Sequence, residues 1–238
     1  MDTEKYDLIT LGRSCIDLYS QNVGAPFNEI TGFDAFVGGS PLNIAVAASR
    51  LGINTSLLTA VGNDKVGEFI IDFLKKEKVN TKTIPVKKGS RTSAAVLGIQ
   101  PPDNFPLVFY RDNAADSKIE IDDVINAKIS NYKILVISGT ALNIEPSRSA
   151  TFFSVEVAKK SNVDVVLDLD FRADQWKDIR SYGLMVRALF PNIKIVIGTE
   201  EEILASTLTD KSQLKIKNQQ ISSPEICGDI NNSISQLL

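Results

Sequence analysis

The 238-residue sequence contains no histidine, and this removes a large part of enzyme chemistry. Without imidazole there is no Ser-His-Asp or Cys-His catalysis, no histidine-bound metal and no histidine acid-base step. Any reaction on this chain must use carboxylates, arginine or lysine, backbone amides and a hard metal ion. Phosphoryl transfer suits that set of groups, because it depends mainly on positioning and charge stabilisation.

Cysteine, net positive charge and long apolar runs are also scarce. Cys15 and Cys227 lie far apart and make neither a disulfide framework nor a zinc site. A formal net charge of −3 provides no basic surface for nucleic acid or anionic lipid. No run approaches the roughly 20 apolar residues that cross a bilayer, and the charged start, Met1 to Tyr6, has no apolar signal segment. We therefore expect a cytoplasmic protein without nucleic-acid or membrane partners.

Short apolar runs alternate with helical stretches along the chain. The runs predict strands at Tyr6–Gly12, Asn54–Gly62, Tyr132–Gly139, Val163–Asp170 and Ile193–Gly198. Helical spacing of apolar residues predicts helices over Lys65–Val79 and Glu145–Asn162. Runs that are apolar on both faces are typical of parallel strands covered by helices on each side. The pattern therefore predicts a layered α/β domain of the doubly wound type.

Two stretches depart from this alternation, residues 14–37 and 91–111. Both are strand-like, are interrupted by glycine and proline, and lack a helical period. They predict a small separate sheet at one edge of the domain. Such a sheet would suit a lid over a site that excludes water.

The stretch "FVGGSPLNIAVAASRLG" places a glycine pair, Gly38 and Gly39, directly before a predicted helix. Ser40 is the expected N-cap, followed by a proline at the first helical position. The dinucleotide fingerprint and the P-loop lysine are both missing. One interpretation is a plain turn that starts a helix. In the other, the glycines bring the backbone close to a ligand and Asn43 offers its amide to a hydroxyl.

Charged residues near two strand ends each allow two interpretations. Asp17, in "GRSCIDLY" after the first strand, is either a turn acceptor or a carboxylate for two neighbouring sugar hydroxyls. Arg111 follows Tyr110 at the end of a strand. An arginine there is commonly a surface ion pair, although its guanidinium would suit a substrate carboxylate.

Two further segments follow buried strands, where open α/β sheets place their ligands. In "LDLDFRADQW" the acids Asp168 and Asp170 and the guanidinium of Arg172 are difficult to explain as core packing. In "IGTEEEIL" Thr199 precedes three glutamates of a first helical turn. Glutamates there usually complement the helix dipole, but Glu202 could instead hold water around a magnesium ion.

The order of these segments resembles the ribokinase-like carbohydrate kinases, also called the phosphofructokinase B family. The resemblance covers about residues 6–206 and is carried by "GRSCIDLY", "VGGSPLNIAVAASRLG", "VGNDKVGEFI", "YRDNAAD", "SGTAL", "LDLDFRADQW" and "IGTEEE". Thr199–Glu202 stands where most of the family has Asn-x-x-Glu. A Thr-x-x-Glu order at this place resembles the branch of the family that phosphorylates 5-dehydro-2-deoxygluconate in inositol catabolism. The alternative branches are 2-keto-3-deoxygluconate kinase and fructokinase.

The resemblance implies a fold, a reaction and a set of site residues. The fold would be one incomplete α/β/α domain over residues 1–238, with a mostly parallel sheet and a β-sheet lid that also joins two copies into a homodimer. The reaction would transfer the γ-phosphoryl of ATP to a hydroxyl of a sugar or sugar acid, with Thr199 near the phosphates and Glu202 near hydrated Mg²⁺. The residues implied to bind the sugar are Asp17, Gly38, Gly39, Asn43, Tyr110, Arg111, Asp170 and Arg172.

The chain departs from the family at the second signature, a Gly-Ala-Gly-Asp order that opens a helix. Its amides stabilise the phosphoryl group and its aspartate is the general base. That order does not occur in this sequence, and "CGD" at Cys227–Asp229 lacks the Gly-Ala order, so Asp229 is not assigned as the base. We therefore expect a sugar-binding part with little kinase turnover of its own. The competing hypothesis is a non-catalytic sugar-binding protein.

Overall fold

A computed structural model describes residues 6–102, 104–215 and 224–237. Its strands are β1 (Tyr6–Leu11), β2 (Cys15–Ser20), β3 (Phe33–Gly38), β4 (Thr55–Leu58), β5 (Val61–Gly62), β6 (Val86–Lys87), β7 (Ser93–Leu97), β8 (Leu107–Tyr110), β9 (Tyr132–Ser138), β10 (Asp164–Asp168), β11 (Ile195–Ile197), β12 (Leu214–Lys215) and β13 (Glu225–Ile226). Its α-helices are α1 (Ser40–Arg50), α2 (Lys65–Lys76), α3 (Ile121–Ala127), α4 (Ser147–Lys160), α5 (Arg180–Leu189), α6 (Glu200–Ser206) and α7 (Ile230–Leu237).

The central sheet has the strand order β11-β10-β9-β1-β4, and every pair in it is parallel. Each of the five predicted strands contributes to it. The predicted strand Asn54–Gly62 divides in two, because Val61 leaves the central sheet and pairs with Val86 of β6. The doubly wound arrangement expected from the alternating pattern is confirmed.

Helices cover both faces of this sheet, which makes three layers. Leu57 and Leu58 are neighbours on β4 and belong to different cores, because successive side chains on a strand point to opposite faces. The core around Leu58 includes residues of α3, α4, α5 and α6, and the core around Leu57 includes residues of α1 and α2. The predicted α/β/α fold class is therefore confirmed.

The helix α2 shows how local sequence sets an element's limits. Its N-cap, Asp64, accepts a hydrogen bond from the backbone N–H of Gly67, and Ile70 and Leu74 are buried against the sheet. The helix ends at Lys76, three residues before the predicted end, and Lys78 follows with φ +60°. A left-handed residue at this point stops helical hydrogen bonding.

A second sheet has the order β3-β2-β7-β8, with strands that come from the two stretches that lacked a helical period. The β2–β7 pair is parallel and the other two pairs are antiparallel. Alternation places Asp17 of β2 and Phe109 of β8 on the face toward α1, and Tyr110 on the outer face. This sheet therefore presents one face to the carboxyl end of the central sheet.

The strand β11 lies at one end of the strand order of the central sheet, and all three of its residues are exposed.

Among the described residues, no helix combines the length and the apolar character that crossing a bilayer requires.

Candidate functional site

A cavity of about 550 Å³ lies between the carboxyl ends of β1 and β10, the start of α1 and the second sheet. Among the residues that line it are Arg13, Asp17, Gly39, Asn43, Asp170 and Arg172. Its volume is within the range of small-molecule sites. The fold therefore brings five of the predicted sugar-binding residues together with an arginine that the sequence interpretation had not selected.

The glycine pair shapes one wall of the cavity. Gly39 has φ +109° and is the N-cap of α1, and a Cβ there would collide with the carbonyl oxygen of Arg13. At Gly38, a Cβ would collide with the carboxylate of Asp17. Both positions need glycine because the backbone passes directly against these two residues. Gly39 lines the cavity, whereas Gly38 lies behind Asp17 and is not among the lining residues.

Ser40 does not have its predicted role. The N-cap is Gly39, and Ser40 is the first residue of the helix. Its hydroxyl donates instead to the carboxylate of Asp168, at the end of β10. This contact joins the start of α1 to the edge of the central sheet. One turn along α1, Asn43 lines the cavity and is exposed.

Asp17 presents its carboxylate to the cavity from β2. Its Oδ1 accepts a hydrogen bond from the thiol of Cys15 at 3.0 Å, and its Oδ2 lies 3.5 Å from the hydroxyl of Tyr19. Burial raises the pKa of the Cys15 thiol far above its usual value, so the sulfur keeps the proton that it donates. Two weak donors leave Asp17 with unused acceptor capacity.

Asp170 and Arg172 form an ion pair at the end of β10. Nη2 of Arg172 lies 3.1 Å from Oδ1 of Asp170, while Oδ2 accepts hydrogen bonds from Ser138 and Thr140 at 2.8 and 3.1 Å. Arg172 also lies 3.9 Å from the carboxylate of Glu202. Both oxygens of the Asp170 carboxylate therefore already have protein partners, whereas the Arg172 side chain is partly exposed and lines the cavity.

Asp168 lies beside this pair and has an unusual proton affinity. Burial, together with the neighbouring carboxylates of Asp170 and Glu202, raises its pKa to about 6, although the hydrogen bond from Ser40 acts in the opposite direction. The edge of the sheet thus carries a carboxyl group that titrates near neutral pH.

Thr199 and Glu202 form a capping box at the start of α6. The backbone N–H of Glu202 donates to the Thr199 hydroxyl at 3.3 Å, and that of Thr199 donates to Oε2 of Glu202 at 2.8 Å. Oε1 of Glu202 accepts from the N–H of Phe171 at 3.1 Å. In the described part of the chain, no three acidic, histidine or cysteine side chains lie close enough to bind a metal directly. Both carboxylate oxygens of Glu202 therefore already accept hydrogen bonds from the backbone.

Two predicted sugar-binding residues, Tyr110 and Arg111, are not among the residues that line the cavity. Tyr110 is 63% exposed on the outer face of the second sheet, because Phe109 takes the inward position. The guanidinium of Arg111 donates to Asp116 from Nε and Nη2 at 2.8 and 2.6 Å, and to Gln175 from Nη1 at 2.6 Å. With a further bond from Nη1 to the Thr140 carbonyl at 3.3 Å, most of its N–H groups have protein acceptors.

Asp229 is the N-cap of α7, since its Oδ1 accepts from the N–H of Asn231 at 2.9 Å. A capping role explains this aspartate without a catalytic one.

The cavity residue that the sequence interpretation missed is Arg13. Its side chain is 6% exposed, its Cζ lies 4.6 Å from the ring centre of Phe109, and its Nη1 contacts the sulfur of Cys15 at 3.6 Å. Burial acts to lower the pKa of Arg13, but the surrounding negative groups, including Asp170 and Asp17, raise it overall. The signal in the sequence was a charged residue directly after the first buried strand.

The open three-layer α/β fold, with a polar cavity at the carboxyl end of its sheet and a small sheet above it, resembles solved structures of sugar kinases. Residues 5–222 match the pfkB family carbohydrate kinases, and the chain belongs to that family.

The chain is similar to curated proteins named 5-dehydro-2-deoxygluconokinase. It is 38% identical over 202 residues to that of Bacillus anthracis, a match that covers 84% of this chain and 61% of the relative. It is 39% identical over 197 residues to that of Geobacillus thermodenitrificans, covering 82% and 58%. Among solved structures, an uncharacterized sugar kinase from Pyrococcus horikoshii in complex with ATP is 26% identical with a TM-score of 0.77, covering 84% of this chain and 65% of that one. The chain thus spans about three fifths of the length of these relatives.

Proposed function

We propose that this chain is the sugar-binding part of an ATP-dependent kinase whose acceptor is a sugar acid, 5-dehydro-2-deoxygluconate. The observation that carries the proposal is one small cavity lined by a carboxylate, Asp17, an amide, Asn43, and two guanidinium groups, those of Arg13 and Arg172. Carboxylate and amide groups suit adjacent hydroxyls, and a guanidinium suits an acid. The names of the relatives that match most of this chain support the same substrate.

In this proposal each group has a defined role. Asp17 accepts hydrogen bonds from neighbouring hydroxyls, and Asn43 orients another. The second sheet covers the bound sugar and excludes water. ATP supplies the phosphoryl group when it is bound, together with hydrated Mg²⁺; Thr199 and Glu202 would lie near the phosphates and the ion's water shell.

Calorimetric titration of the 238-residue chain tests the substrate. We expect binding of 5-dehydro-2-deoxygluconate to be tighter than binding of 2-keto-3-deoxygluconate or fructose. Stronger binding of either alternative would reassign the substrate to the corresponding kinase. If none of the three binds with or without Mg-ATP, the sugar-binding role is rejected.

We further propose that this chain transfers little phosphate by itself. A general base contributes about 10²–10⁴-fold to a reaction rate, and an oxyanion-type donor about 10²–10³-fold. The Gly-Ala-Gly-Asp order that supplies both in the family is absent from this sequence. Sugar binding without turnover in a coupled ADP-release assay is the expected result, and it is equally what a non-catalytic sugar-binding protein would give. Clear ATP-dependent phosphorylation would contradict both.

We also propose that two copies associate through the outer face of the second sheet. Phe33, Val108 and Tyr110 are exposed on this sheet. Exposed apolar groups grouped on one surface favour burial against a partner.

A further inference from the structure

Arg13 is a buried cation whose hydrogen-bonding capacity is mostly unused. Its Nε has no hydrogen-bond partner, and Nη2 donates to no protein atom among the described residues. Within the described ranges, the side chain makes one polar contact, that of Nη1 with the Cys15 sulfur, at a distance typical of a weak interaction. No carboxylate in the described ranges lies within 4.0 Å of its nitrogens.

A buried charge without a counter-charge is costly, and proteins usually pair such groups or use them to bind a ligand. Arg111 is paired with Asp116, and Arg172 is paired with Asp170. Of the guanidinium groups that line the cavity, Arg13 alone lacks a carboxylate partner among the described residues.

The surroundings of Arg13 also orient it. Cζ of Arg13 lies over the ring of Phe109, and the Cys15 contact engages Nη1. The edge formed by Nε and Nη2 is left without protein acceptors. Nε itself is fully buried, and Arg13 lines the cavity, so a guanidinium with unused N–H groups lies at the cavity wall. Guanidinium N–H groups match the oxygens of a carboxylate.

We propose that Arg13 binds the carboxylate of the sugar substrate and makes the cavity select an acid over a neutral sugar. The inference rests on the proposed sugar-binding function of the same cavity. It assigns to Arg13 the part that the sequence had suggested for Arg111, and it leaves Arg172 in its pair with Asp170.

The test compares an acid with its uncharged counterpart. The chain is titrated calorimetrically with 5-dehydro-2-deoxygluconate and with its methyl ester, which keeps the hydroxyls and removes the negative charge. Hydrogen bonds to charged groups contribute enough for about a 10- to 100-fold preference for the acid. In Arg13→Met this preference is expected to disappear, while affinity for the ester changes less than about threefold. Arg180→Met, which removes an exposed arginine paired with Asp178, is the matched control and should keep the preference.

The variants are chosen so that folding does not decide the result. Arg13 has no ion-pair partner among the described residues, so Arg13→Met leaves no contacting carboxylate unpaired, and thermal unfolding checks that the variant folds. Arg13→Gln is the second neutral variant. If both variants fail to fold, Arg13→Lys is measured instead. It replaces the planar guanidinium by a point charge, which should reduce affinity for the acid about tenfold and leave affinity for the ester unchanged.

The outcomes separate this proposal from the one it rests on. If the folded variants retain the full preference for the acid, the role of Arg13 is overturned while sugar binding stands. The same follows if they lose affinity equally for acid and ester. If the unmodified chain binds neither compound, the sugar-binding function itself fails, and the role of Arg13 fails with it.

Discussion

Arg111 and Asp116 form a buried ion pair in which both Nε and Nη2 of the arginine donate to one carboxylate oxygen, at 2.8 and 2.6 Å. The other carboxylate oxygen accepts from the hydroxyl of Ser93 on β7, and Nη1 of Arg111 donates to Gln175 beyond β10. The pair therefore connects the second sheet to the central domain. Arg111, which directly follows β8 of the second sheet, therefore has a structural role.

Replacing this arginine should affect stability more than ligand binding. In Arg111→Met, Asp116 becomes a buried charge without its partner, and breaking such a pair typically costs about 3–5 kcal/mol. Urea unfolding of Arg111→Met should show this loss, and Arg111→Met combined with Asp116→Asn should recover part of it. Affinity for the sugar acid, measured on folded protein, should stay near the unmodified value. A stable variant with abolished binding would instead place Arg111 at the substrate.

The glycine pair gives a second prediction, with a matched control just beyond the other end of the same helix. Gly39→Ala combines an unfavourable φ of +109° with a collision against the Arg13 carbonyl. A cost of about 3 kcal/mol is expected, together with weaker sugar binding. Gly52, after the end of α1, has φ +85° with no atom within 4 Å of an added Cβ. Gly52→Ala should therefore cost only about 1 kcal/mol. Equal losses would show that the contact with Arg13 does not matter.

The raised pKa of Asp168 predicts how stability depends on pH. Its value of about 6 in the folded chain exceeds the ordinary 3.8. Between these values the unfolded chain releases a proton that the folded chain retains, so this group lowers stability as the pH rises through that window. Relative to the unmodified chain, Asp168→Asn should gain about 1–2 kcal/mol in free energy of unfolding between pH 4 and pH 6.5, after allowance for partial exposure. A difference that stays constant over this range would exclude the shift.

The proposed association through the second sheet predicts the effect of a charge on its outer face. Val108→Glu places a carboxylate among exposed apolar groups that would be buried between two copies. Sedimentation velocity should show a dimer for the unmodified chain and a monomer for Val108→Glu. Leu51→Glu changes an exposed leucine at the end of α1 and should leave the dimer intact. A monomeric unmodified chain at all concentrations would contradict the proposal.

Patterns of neighbouring residues were sufficient for much of the fold. The apolar runs of β1, β4, β9, β10 and β11 identify a parallel sheet because burial on both faces leaves a local trace in sequence. Asp170 and Arg172 could be placed at the carboxyl edge of the sheet for the same reason, since they directly follow a buried strand. The N-cap role predicted for Ser40 was wrong, because whether a serine caps a helix depends on what else its hydroxyl can reach.

The sequence by itself determined the class of fold, the polar edge of the sheet and the restricted chemistry of a chain without histidine. Those properties depend on composition and on spacing over a few residues. Only the tertiary structure decided which charged side chains have an ion-pair partner and which do not. Arg111 contacts Gln175, and Arg13 lies over the ring of Phe109, and both contacts join residues distant in sequence. Since pairing of a buried charge depends on such contacts, the free guanidinium of the cavity became visible only in the folded chain.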